Sequence, residues 1–220
     1  MRTPSVLAKS RPRVRWPERV LMVVTDPAAV GDRDLAEVVA AAVRGGANVV
    51  QLRAKELPGG ELLALARRLR GVTAGRALLL INDRPDVALL AGADGVHLSE
   101  AGLPVAPVRA WLPASLVVGR SVHDFHAARE AEADGADYLL VGTIYPSPSH
   151  PEREPAGATL LREIHARVRT PIVAIGGITP SRVRECLDAG AQGVAVVSAI
   201  LRADDPEAAA ADLATLVFEG

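Results

Sequence analysis

The chain has 220 residues, of which 49% are hydrophobic but only 3% aromatic, and a formal net charge of -1. That length suits one domain burying roughly 70% of the surface of its unfolded chain, with a core of Ala, Val and Leu rather than rings. The near-neutral charge excludes a nucleic-acid surface spread over the fold, and a single cysteine, Cys186, excludes a disulfide framework and a CxxC metal site.

Residues 1–19 carry Arg2, Lys9, Arg11, Arg13, Arg15 and Arg19 without the apolar h-region of a signal peptide. They read as a basic, flexible extension ahead of one domain at 20–220. From Val20 onward, short Val/Ile/Leu runs alternate with amphipathic segments, the pattern of repeated β-α units around a parallel sheet. Eight runs are predicted as strands: Val20–Val24, Asn48–Arg53, Ala77–Asn82, Gly95–Leu98, Leu116–Ser121, Tyr138–Val141, Ile172–Ile175 and Gly193–Val197. Helices are expected after them, for example at Asp34–Arg44, Gly60–Arg70 and Asp124–Asp134. Eight such units match a single-domain (β/α)8 TIM barrel of the α/β class. An open doubly wound sheet is the alternative, but no GxGxxG follows the first run. No apolar run approaches a membrane span, and with one cysteine a reducing, cytoplasmic setting is expected.

In such a barrel the chemistry sits at the C-terminal ends of the strands. The second run ends in Gln51, Arg53 and Lys55, which strand alternation puts on one face. A guanidinium, an ammonium and an amide converging there suit a phosphate or pyrophosphate. Lys9 and Lys55 are the only lysines in a chain rich in arginine. The third run ends in Asn82 and Asp83. Asp83 can hold Mg2+ against a diphosphate, and it can equally cap the helix that begins near Arg84-Pro85. "AIGGIT", with Gly176 and Gly177, and "AVVSAI" suggest a second anion site after the last two runs. Of the five histidines, His126 and His165 read as surface residues and His97 as a satisfied polar residue inside the barrel. His123 and His150 remain candidates for substrate contact or proton transfer.

Taken together, "VVQLRAKE", "LLLINDRPDVALLAGADGVHL", "GRSVH", "DYLLVGTIYPSPSH" and "PIVAIGGITPSRVRECLDAGAQGVAVVSAI" resemble the thiamine phosphate synthase/TenI family over about residues 20 to 218. The resemblance implies a transferase of thiamine biosynthesis that joins hydroxymethylpyrimidine pyrophosphate to a thiazole phosphate with Mg2+ help and releases pyrophosphate. It implies that Gln51, Arg53, Lys55 and Asn82 hold the pyrophosphate and that Asp83 binds Mg2+. Ser121 would sit near the pyrimidine, and Gly177, Val197 and Ser198 near the thiazole phosphate. Such a reaction needs charge stabilisation and positioning more than a general base.

The resemblance also shows departures. The family's loop after the sixth strand reads roughly GPIFPTxTK, and its threonines and lysine close over the leaving pyrophosphate. Here Ser147 and Ser149 keep the hydroxyls and His150 stands in the lysine's place. The second Mg2+ ligand of the synthase pattern falls on Gly102, with Glu100 as the nearby substitute. The tautomerase branch, TenI, resembles an isomerase of a carboxythiazole phosphate and needs no metal, but its acid-base histidine falls on Thr143. The expectation is therefore a synthase, with Arg53, Lys55, Ser121, His123 and His150 as candidate catalytic residues. The alternatives are the tautomerase and a non-enzymatic thiazole or thiamine phosphate-binding barrel. Expected partners are small phosphorylated substrates rather than nucleic acid or membrane, in a monomer or an oligomer.

Overall fold

The computed structural model describes residues 13–147 and 154–219. Eight parallel strands, β1 (Val20–Val24), β2 (Val49–Leu52), β3 (Leu78–Asn82), β4 (Gly95–Leu98), β5 (Val117–Val122), β6 (Tyr138–Val141), β7 (Ile172–Ile175) and β8 (Gly193–Val196), pair in sequence order. β8 returns to pair with β1, so the sheet closes into a barrel and has no free edge. The helices that follow the strands in turn are α1 (Leu35–Arg44), α2 (Gly59–Thr73), α3 (Pro85–Ala91), α4 (Val105–Trp111), α5 (Phe125–Ala133), α6 (Gly157–His165) and α7 (Pro180–Asp188). After β8 come α8 (Ser198–Leu201) and α9 (Pro206–Phe218). The (β/α)8 expectation holds, with strand ends moved by at most a residue or two.

The strand period of two builds two cores from one sheet. On β1, Val20, Met22 and Val24 point into the barrel and meet Val49, Leu80, Val117, Leu140 and Val173. Leu21 and Val23 point outward, where they pack with Val39 and Ala42 of α1 and Leu213 of α9. Both faces are buried, which is why the strands read as unbroken apolar runs. The helix starts are set locally. Asp34 accepts from the backbone N-H groups of Ala36 and Glu37, and Asp124 accepts from that of Ala127.

At the N-terminal end of the barrel the chain segment ahead of β1 crosses the opening. The Val14 N-H donates to the Ser115 carbonyl at 3.0 Å, and Trp16 stacks on Tyr138 with ring centroids 4.1 Å apart. Of the expected N-terminal extension, residues 13–19 are thus placed, and residues 1–12 lie outside the described part.

Candidate functional site

At the opposite end, the strands' C-termini surround a cavity of about 310 Å³. Its walls include Gln51, Arg53, Lys55, Asn82, Glu100, Ser121, His123, Ser147, Gly176, Gly177, Val197 and Ser198. With Val24 and Asp26 from the end of β1, residues from all eight strand ends are brought together there by closure of the sheet. Ser149 and His150 fall outside the described residues.

β2 ends at Leu52, so Arg53 and Lys55 stand just beyond it rather than within a continued strand. Thr25 substitutes for the missing ladder there. Its hydroxyl donates to the Arg53 carbonyl at 3.0 Å and accepts from the Arg53 N-H at 2.8 Å. Thr25 is fully buried, so these bonds hold the Arg53 backbone while its side chain reaches the cavity. Among the described residues, neither the Arg53 guanidinium nor the Lys55 ammonium has an ion-pair or hydrogen-bond partner. Two cations without counterions on one wall make an electropositive surface for a multiply charged anion. Beside them the Gln51 side-chain amide donates to Asn82 Oδ1 at 3.0 Å. Gln51 is 1% exposed, and its Oε1 is buried without a partner among the described residues.

Asp83 does not cap α3. It has a φ of 55°, and the residue before the helix, Arg84, makes no side-chain cap bond. Its carboxylate turns instead to β4: Oδ1 accepts from the Ser99 N-H at 2.8 Å, and Oδ2 accepts from the Ser99 hydroxyl at 2.6 Å and the Asn82 amide at 2.9 Å. The capping alternative fails because Ser99 offers two donors across the strand end, which a cap geometry would forgo. On its other side Oδ1 lies against Gly102, where an added Cβ would come within 2.3 Å of it. The lack of a side chain at Gly102 thus lets that segment pass close to the carboxylate. The Asp83 carboxylate beside the cavity residues Asn82 and Ser99, with Glu100 on the cavity wall, is a donor set whose hard oxygens fit a Mg2+ ion that takes most of its ligands from substrate and water. No group of three or more His, Cys, Asp or Glu side chains that could by itself hold a metal occurs among the described residues.

His97 lies inside the barrel, 1% exposed, as the sequence suggests. Its Nδ1 is 2.7 Å from the Tyr138 hydroxyl and its Nε2 is 2.8 Å from Ser121 Oγ. Burial pushes its pKa down to about 3, against the Asp83 carboxylate and with the help of Arg120, so the ring is neutral at pH 7. His123 is more accessible. Its Nδ1 donates to the Gly142 carbonyl, and its Nε2 faces the Glu100 carboxylate at 3.4 Å.

The segment after β6 answers to β7. The Ile144 and Tyr145 N-H groups donate to the carbonyls of Ile175 and Gly176, each at 3.0 Å, which carries Ser147 over to the cavity. Gly176 and Gly177 have φ of 103° and 62°. A Cβ on Gly177 would lie 2.4 Å from the Pro146 carbonyl oxygen, and one on Gly176 would lie 2.6 Å from Thr143 Cγ2. Passage of this segment therefore accounts for both glycines, whatever they bind. Sequence reasoning gave no role to Thr25 or Tyr138. Thr25 was visible as a polar residue ending an apolar run, but Tyr138 carried no signal to separate it from other core rings.

The fold and site define a (β/α)8 barrel with a cation-lined cavity at its C-terminal mouth. The family described as thiamine monophosphate synthase matches residues 21–200, and the chain belongs to that family. The chain is 42% identical over 211 residues to a protein named thiamine-phosphate synthase from Roseiflexus castenholzii, an alignment covering 94% of this chain and 91% of the relative. A second protein of that name, from Methanoculleus marisnigri, is 44% identical over 195 residues, 88% of this chain and 92% of the relative. Among solved structures, thiamine phosphate pyrophosphorylase from Pyrococcus furiosus superposes with a TM-score of 0.85 at 37% identity, over 92% of this chain and 96% of that one. A 3-hexulose-6-phosphate synthase, 18% identical with a TM-score of 0.67, covers 89% of this chain and 99% of its own, and shares the fold alone.

Proposed function

We propose that the protein is a thiamine-phosphate synthase, a transferase that joins hydroxymethylpyrimidine pyrophosphate to a thiazole phosphate. The bond between the pyrimidine methylene carbon and the pyrophosphate oxygen breaks, the thiazole nitrogen forms the new bond to that carbon, and pyrophosphate leaves. The observation that carries this reading is the unpaired Arg53 and Lys55 beside the Gln51–Asn82 pair. Negative charge grows on the leaving group as the bond breaks, and fixed cations facing it stabilise the transition state more than the ground state. Ser147 on the cavity wall supports the same anion, and the family resemblance extends that task to Ser149 and His150.

Gly177, Val197 and Ser198, across the cavity, are assigned to the thiazole phosphate. Asp83 and Glu100 would hold a Mg2+ ion, whose charge offsets that of the diphosphate when bound. His123, tied to Gly142 and facing Glu100, orients that carboxylate. The named relatives support the synthase over the tautomerase, and Thr143 supplies no group that titrates near neutral pH. Small phosphorylated substrates are thus the partners. A cytoplasmic setting accords with the single cysteine, whose thiol burial pushes up to about 11. No helix among the described residues is long and apolar enough to cross a membrane.

The test is to incubate the protein with both substrates, with Mg2+ or with a chelator, and to follow thiamine phosphate by mass spectrometry. Product is expected with Mg2+ alone, and Arg53→Ala should lower kcat/KM by about 10²–10³-fold. Turnover indifferent to chelation, or unchanged in Arg53→Ala, would overturn the assignment.

A further inference from the structure

We propose that Tyr138 and His97 are positioning residues that fix the Ser121 hydroxyl as a hydrogen-bond donor to substrate, at the head of a side-chain column crossing the barrel from Trp16. The column follows from register. His97 on β4 is level with Gly119 on β5, and Gly119 with Tyr138 on β6. Gly119 leaves β5 bare at that level, and a Cβ there would lie 2.0 Å from Tyr138 Cε1. The Tyr138 ring occupies that gap, passes across β5 and places its hydroxyl on His97 Nδ1 at 2.7 Å. The second ring nitrogen meets Ser121 Oγ at 2.8 Å, and Ser121 lines the cavity.

The direction of these bonds follows from counting donors and acceptors. A neutral imidazole has one N-H and one bare nitrogen. If Nδ1 carried the proton, it would donate to the Tyr138 oxygen, and the buried Tyr138 hydroxyl hydrogen would then need another acceptor. Among the described residues Tyr138 has none besides His97, and a buried donor left unmade is costly. Tyr138 therefore donates to Nδ1, Nε2 carries the ring proton and donates to Ser121 Oγ, and the Ser121 hydrogen is turned away from His97 toward the cavity. Trp16 completes the arrangement. Stacked within 6° of parallel on Tyr138, it covers the ring at the N-terminal end, and Tyr138 is fully buried from bulk solvent.

The acceptor that Ser121 addresses is a lone pair on the diphosphate substrate, either a ring nitrogen of its pyrimidine or an oxygen of its diphosphate. That identity rests on the proposed function; the orientation of the hydroxyl does not. Nitrogen-15 NMR of the ligand-free protein, with His97 assigned by loss of its signals in His97→Gln, should show a protonated Nε2 and a bare Nδ1. The opposite tautomer would overturn the proposal, even if no thiamine phosphate is formed and the functional reading fails.

In the kinetic arm, Tyr138→Phe keeps the stacked ring and should lower kcat/KM by about tenfold, with KM for the thiazole phosphate unchanged. The double variant Tyr138→Phe/Ser121→Ala should be no worse than Ser121→Ala alone, because Tyr138 acts only through Ser121. Additive losses would mean a merely structural role and overturn it. Titrating wild type and Ser121→Ala with inorganic pyrophosphate and with hydroxymethylpyrimidine separates the two acceptors: weakened binding of one names it, and weakened binding of neither overturns the donor assignment.

Discussion

A Cβ added at Gly102 would meet Asp83 Oδ1 at 2.3 Å, so any side chain there must displace a carboxylate that Ser99 holds with two hydrogen bonds. Gly102→Asp puts a second carboxylate against the first, where two like charges cannot both ionise cheaply. In metal-free buffer this variant should be destabilised by about 1–3 kcal/mol through crowding alone. Added Mg2+ should raise its melting temperature more than that of wild type, since the cation bridges the pair. Thermal melts with and without Mg2+ check this, and equal Mg2+ responses would count against Asp83 as a ligand. The residue types at this spot were legible in the sequence: Asp83 ends an apolar run, and Gly102 stands out once the family resemblance is drawn. The choice between a helix cap and a site carboxylate was not, because Ser99, which settles it, arrives from the neighbouring strand.

At the scale of elements, α5 is fastened to the turn before β7 by one carboxylate. Glu132 accepts from the N-H groups of Arg169 and Thr170 at 2.6 and 2.9 Å and from the Thr170 hydroxyl at 3.2 Å. Burial alone would raise its pKa, but these donors outweigh it, and the carboxyl lies below its usual 4.5. A depressed folded-state value means that this stabilisation is complete above the unfolded value and is lost as pH falls through the folded one. Glu132→Gln keeps the shape without the charge. It should be less stable than wild type at pH 7, and its stability should fall less steeply between about pH 5 and 3. Chemical denaturation along that pH series measures the difference. Element starts were readable where the cause is local, as at Asp34 and Asp124, whose side chains cap the helices they precede. The Glu132 tether was not, since its partners lie a helix and a strand away.

For the molecule as a whole, closure of the sheet leaves two open ends with different tasks. The C-terminal mouth gathers the charged and polar groups, and the N-terminal end is covered by Val14 and Trp16 packed on the barrel core. Truncation through Arg19 should therefore lower the melting temperature relative to truncation through Pro12. The Trp16 stack on Tyr138 is worth about 0.5–1.5 kcal/mol, or a few degrees for a domain of this size. Calorimetry on the two truncated chains decides it, and identical melting temperatures would show that the Trp16 stack contributes nothing to stability.

The sequence by itself determined the strand order, the barrel class and the end of the barrel where Arg53, Lys55, Asn82 and Ser198 would meet. Each of these depends on the alternation of apolar runs and on the rule that strand C-termini share one face. Tertiary structure alone decided the partners across strands: Thr25 holding Arg53, Ser99 turning Asp83, and Tyr138 passing the bare backbone of Gly119 to reach His97. Those pairings depend on the stagger of neighbouring strands in a closed sheet, a property of the whole ring that no single run of residues contains.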